Sequence, residues 1–187
     1  MSPVTHFLAG WMVANIAKLN KRERALVTLA GVVPDVDGMG VIWDFVSGSG
    51  NFEFYQRYHH VFGHNIFFCL LVSIFGLLLG ARKWLVAALM FVSFHLHLLG
   101  DIVGARGQGD DFWAVPYFWP LSTRDYYWSG QWPLNGWQNF VITGVLMGVT
   151  FYWAWRRGFS PIEMISLKVD QGFVQTLRKR FGEPAKP

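Results

Sequence analysis

Charge is scarce in this chain. Asp, Glu, Lys and Arg make up 15% of its 187 residues, against about 25% in an ordinary globular protein. Cysteine is scarcer still, with Cys69 alone. A lone cysteine excludes an internal disulfide and a Cys-rich zinc centre; in its apolar run it reads as a lipid-facing or core residue. There is no internal repeat and no low-complexity tract. The first apolar stretch lacks a basic flank and already contains His6, so a cleavable signal peptide is not expected.

What fills the space is apolar. The chain is 52% hydrophobic and 18% aromatic, with ten tryptophans, and its mean hydropathy is +0.27. Together these point to a membrane protein of one domain. The net charge of +4 sits in short basic clusters between apolar segments. That pattern sets membrane topology and does not suggest nucleic-acid binding.

Five apolar segments follow in order. Pro3 to Ala17 and Ala25 to Val33 read as a helical hairpin around the basic connector Lys18 to Arg24. Each is shorter than the roughly 20 residues that span hydrocarbon. Asp35 to Phe54 reads as a polar, Gly-rich loop. Asn65 to Gly80, Trp84 to Val103 and Phe140 to Trp155 read as transmembrane helices. Gly104 to Trp137, rich in Gly, Pro and aromatics, reads as an extramembrane loop. After Ser160, Ile162, Ile165, Val169, Phe173 and Leu177 recur at helical spacing before Arg178-Lys179-Arg180, as in an amphipathic helix on an anionic membrane face. The expected fold is therefore all-α: an integral membrane bundle of about five core helices over residues 1–158 and an amphipathic basic tail over 159–187.

The positive-inside rule places Lys18 to Arg24, Arg82-Lys83 and Arg156-Arg157 in the cytoplasm, and the helices then alternate without conflict. This makes a multi-pass protein of the inner membrane. The other helix ends meet on the extracytoplasmic side.

Ionisable residues gather at those ends. His97-Leu-Leu-Gly-Asp101 lies inside the apolar run Trp84 to Val103, where an ionisable group is a functional-site candidate. On a helix, His97 and Asp101 share a face, whereas His95 points about 200° away and reads as a packing or supporting residue. His6 opens the first segment. Asp35 and Asp37 follow the second; they can reach adjacent metals, or one can bind while the other orients a histidine. His59, His60 and His64 precede or begin the third. Imidazoles and carboxylates from four segments suit zinc or another divalent metal, one or two ions. Such a metal acidifies bound water for hydrolysis.

Taken in order, these residues resemble the YdjM-like family of membrane-bound, metal-dependent hydrolases. The family's Thr-His, Pro-Asp-x-Asp, His-Arg-Gly-x-Thr-His-Ser and His-x-x-x-Asp motifs are similar to Thr5-His6, Pro34-Asp35-Val36-Asp37, His59 to Asn65 and His97 to Asp101. Pro120 to Arg124 is similar to a later Pro-Leu-Ser-x-Arg. The resemblance runs over about residues 1 to 155. In the third block His60, Val61, Gly63 and Asn65 stand where the family has Arg, Gly, Thr and Ser. The family pattern pairs His59 with His64, whereas helical spacing pairs His60 with His64; both remain open.

The expected site has metal ligands His6, Asp35, His59, His64, His97 and Asp101, and catalytic residues Asp37 and His60. Arg106 and Arg124 contact a substrate phosphate from the aromatic loop, which serves as an interfacial belt, a lid or an acyl-chain shelf. The expected function is hydrolysis of a phosphoester or lipid-like substrate by metal-activated water. The partners are the lipid bilayer and that substrate. A non-enzymatic metal-binding or metal-transport protein is the alternative, since intramembrane His and Asp also mark ion paths. A His-ligated haem is disfavoured by the carboxylates.

Overall fold

Polar residues placed just before apolar runs set the helix starts. A computed structural model describes residues 1–48, 59–107 and 111–185. The chain is all-α, with seven α-helices and no strand among the described residues. Helix α1, Pro3–Ala14, begins on Ser2, whose side chain accepts from the Thr5 N–H, with Pro3 in the first turn. Helix α2, Lys21–Ala30, begins on a reciprocal Asn20/Glu23 capping box. That box draws the end of the expected basic connector into the helix and starts it earlier than Ala25. A 3-10 turn, Val33–Met39, carries Asp35 and Asp37.

Helix α3, Gly40–Ser47, follows at once. This corrects the expected loop from Asp35 to Phe54. Val41, Ile42, Trp43, Phe45 and Val46 outweigh the neighbouring glycines; the expected loop's end, 49–54, lies outside the described residues. Helix α4, Ile66–Leu79, starts on Asn65, which accepts from the Phe68 N–H. Helices α5, Lys83–Gly104, and α6, Trp137–Arg157, are the long ones. After a short 3-10 turn comes α7, Leu167–Phe181, capped by Ser166 and ending in Arg178, Lys179 and Arg180.

Helix α5 is central and packs against α1, α2 and α4. The core joins Val13, Val27, Cys69, Val72, Val86, Met90, Phe94 and Leu98 from those helices. Close approach of α1 and α2 depends on Gly10: a Cβ there would stand 2.6 Å from the Thr28 carbonyl oxygen.

Helix α5, at 22 residues, is the one described helix long and apolar enough by itself to cross a membrane. Helix α2 and the segment Val33–Ser47 meet the same test only as a pair bent by 54°, and α4 is apolar but shorter. Helix α1, with 12 residues, is also short.

The basic clusters meet at one end of the bundle. Arg157 donates to the Asn15 carbonyl and side chain, the Arg82 N–H donates to Glu23 at 2.9 Å, and Arg24 makes a two-pronged pair with Glu163 at 2.7 and 2.8 Å. The tail docks through Phe173, edge-on to Phe151 at 5.5 Å, while Ile165 and Val169 of its expected stripe stay exposed. Between α5 and α6 the aromatic segment is held by two buried amides. Gln131 donates to the Asp101, Ile102 and Trp113 carbonyls and accepts from the Trp113 N–H. Asn139 donates to the Gly104 and Leu134 carbonyls and accepts from the Trp132 indole. The amides thereby satisfy carbonyls that the end of α5 leaves open.

Candidate metal centre

Three stretches far apart in sequence deliver a compact donor set. On α5, one turn brings the His97 Nε2 to 3.0 Å from the Asp101 Oδ2. The turn before α4 places the His64 Nε2 3.1 Å from the His97 Nε2 and 3.5 Å from the Asp101 Oδ2. The 3-10 turn adds the Asp35 Oδ1, 3.5 Å from the His97 Nε2 and 3.9 Å from the His64 Nε2. These four atoms all lie within 4.8 Å of one another. Four ligands bonded tetrahedrally at about 2.0–2.1 Å stand about 3.3 Å apart. The donor set therefore matches a first-row divalent ion in both spacing and chemistry, and these four residues could hold one.

The outward nitrogens fix which lone pairs point inward. The His97 Nδ1 lies 3.0 Å from the Gly31 carbonyl oxygen, which only accepts, so Nδ1 carries the proton. The His64 Nδ1 lies 3.2 Å from the Asp37 Oδ2 and carries its proton likewise. Each Nε2 is then the nitrogen turned toward the other histidine and the two carboxylates, and a cation that displaces its proton finds a ready ligand there. A histidine whose far nitrogen is held by a carbonyl or carboxylate is the usual form of a metal ligand.

Asp37 sits behind this set. It accepts from His59 at 2.8 Å, from the Gly63 N–H at 2.9 Å and from His64. Gly63 has no substitute here, because a Cβ would fall 2.0 Å from the Pro34 carbonyl oxygen. The backbone passes over the 3-10 turn with no room for a side chain.

His6 joins from α1. Its Nε2 lies 3.1 Å from the Asp101 Oδ1, and its ring lies over His97 with centroids 3.8 Å apart. The Met1 amino group touches the same oxygen. His6 thus holds the Asp101 oxygen turned away from the four-atom group. His6, His64, His97 and Asp101 are all buried.

The block 59–65 is a turn, not the start of a helix, so helical spacing does not pair His60 with His64. His60, left-handed with φ 71°, nonetheless packs its ring against His64 at 4.1 Å, tilted by 37°. His60 also packs edge-on against Trp113. Burial pushes the His60 imidazole down to about 2, so the ring is neutral. His59 reaches Asp37 instead and lies outside the four-atom group.

A cavity of about 350 Å³ opens beside the centre, lined in part by Asp35, Asp101, His59, His60 and Trp113. Neither arginine expected at the substrate lines it. Arg124 is exposed beside Tyr126, and Arg106 lies near Phe112. His95 is elsewhere, bonded to the Phe91 carbonyl and the Tyr117 hydroxyl. Sequence reasoning missed Gly31, Gly63 and Gln131. Gly31 acts through its carbonyl and leaves no residue-type signal; a glycine at 63 and a polar Gln131 among aromatics were the visible hints.

The YdjM inner membrane protein family matches the chain over residues 1–169, and the chain belongs to that family. No curated protein and no solved structure matches it.

Proposed function

We propose that this YdjM-family membrane protein is a metal-dependent hydrolase acting on a phosphoester or lipid-like substrate. The observation that carries the reading is the convergence of the His64 and His97 Nε2 atoms with Asp35 and Asp101, beside a cavity that reaches two of the four. A site built only to hold a metal needs no such cavity.

His64, His97 and Asp101 would hold the ion and leave its fourth position to water beside Asp35, zinc being the best match to mixed imidazole and carboxylate donors. When bound, it would supply a water whose pKa falls to about 7 and a positive charge for the leaving oxygen. Asp35 is the most open of the four, with 22% of its side chain exposed, and it faces the cavity. It is the carboxylate placed to take the released proton. Asp37 positions His64 and His59. His60 is too weakly basic in its buried turn to serve as the base, and it shapes the cavity wall with Trp113.

The basic clusters meet at the end of the bundle remote from this centre. We take that end as cytoplasmic. The chain is then multi-pass, with α2 and α3 forming a bent pair in the bilayer and the centre on the extracytoplasmic side.

The test is hydrolysis by the metal-loaded protein in detergent, across phosphomonoester, phosphodiester and phospholipid substrates, beside Asp35→Asn and His64→Ala. Turnover of one class, lost in both variants, is expected. No turnover of any class, together with metal flux in proteoliposomes, would make it a metal carrier.

A further inference from the structure

Helix α3 is built inside out. Its one acid, Asp44, is buried, whereas Trp43, Phe45 and Val46 are 63%, 83% and 75% exposed. In water, such a contiguous apolar patch is unfavourable. The chain belongs to a family of inner membrane proteins, and a bilayer is the surface that would cover such a face.

That face runs into the cavity. Met39, Val41 and Ile42 are exposed large apolar residues, and the same three line the cavity whose walls also hold Asp35, Asp101 and His60. They therefore form its rim, between the exposed face of α3 and the acids of the candidate centre. At about 350 Å³, the cavity is near the lower limit for ligand pockets. It accommodates a polar head and the first few methylenes of a chain, but not a whole lipid. An occupant with a long chain must leave most of that chain outside, over α3.

Resting on the hydrolase reading, we propose that the substrate is a phospholipid-like amphiphile that enters sideways from the bilayer over α3. Its phosphoester head reaches Asp35 and Asp101, its first methylenes lie between Ile42 and Trp113, and the rest of its chain stays in the membrane. The reaction is a balanced hydrolysis. Water adds to the phosphorus, the bond from phosphorus to the leaving oxygen breaks, and that oxygen takes a proton.

The test is photolabelling of the full chain in phosphatidylethanolamine and phosphatidylglycerol vesicles doped with a phospholipid bearing a diazirine near its head. Labelled residues are mapped by mass spectrometry. Label on Trp113 inside the cavity is expected, and Phe45→Glu lowers it by about five-fold or more by lifting α3 from the bilayer, with metal content as in the wild type. Label confined to the outer residues Phe45 and Val46, with none on Trp113 in the wild type, overturns the proposal. The two readings fail separately. Label on Trp113 without cleavage of any lipid keeps the lipid route and removes the hydrolase; cleavage of a soluble phosphodiester without label on Trp113 does the reverse.

Discussion

The two ends of the bundle treat buried acids in opposite ways. At the basic end, Glu163 receives both prongs of Arg24, and Glu23 receives the N–H groups of Asn20 and Arg82. Asp170 receives the N–H and hydroxyl of Ser160. Each acid there meets donors that fix the fold. At the other end, the side-chain partners of Asp35 and Asp101 are imidazoles, with the Met1 amino group on the outer Asp101 oxygen, and two of those imidazoles are held from behind through Nδ1. Acids answered by guanidinium and backbone groups are structural. Acids converging with the Nε2 atoms of imidazoles make a place for a cation.

This contrast predicts separable losses. The largest is at the basic end. Glu163→Ala strands Arg24, whose side chain is 13% exposed, and should cost about 3–5 kcal/mol in unfolding experiments, with metal content unchanged. Replacing both partners by Met and Leu should recover most of that loss. A similar loss of metal in Glu163→Ala would erase the distinction between the ends.

The next effect is in the supporting layer. Asp37→Asn keeps the shape but weakens the hold on His64 and His59, so metal affinity should fall about 10–100-fold by competition titration with a chelator. Unchanged affinity would remove Asp37 from the positioning role.

Acid should act at the metal end as well. Ligand imidazoles bind metal only when deprotonated, so protons compete and affinity falls with pH. Metal retained after dialysis at about pH 8 should be lost near pH 5, below the ordinary histidine value of about 6.5. Retention at both values would argue for an all-oxygen site.

The smallest effect belongs to Arg124→Ala. The side chain is exposed and away from the cavity, so turnover of the best substrate should stay within about two-fold and stability within about 0.5 kcal/mol. A large drop in turnover would return Arg124 to the substrate.

Much of the centre was legible in sequence, because helix periodicity alone puts His97 and Asp101 on one face and an acid beside Pro34 at a helix end. The alternation of basic clusters then grouped the distant segments. What was not legible lies in backbone geometry. The glycines around α3 suggested a loop, but an apolar run of helix-competent residues and the preceding 3-10 turn made a helix. The Gly31 carbonyl orients His97 without any side chain to announce it. The turn through His60 and Gly63 depends on close contact with Pro34, a residue that lies far off in sequence. The start of α2 was set by Asn20 and Glu23, where the apolar pattern alone gave the wrong one.

The most direct test is metal analysis of the detergent-purified protein by elemental mass spectrometry, wild type beside His64→Ala, Asp101→Ala and His95→Ala. Bound divalent metal in the wild type and in His95→Ala, with little or none in the other two, is the predicted result. Equal metal in all four proteins, or none in the wild type after loading, would contradict the assignment of His64, His97, Asp35 and Asp101 as a metal centre.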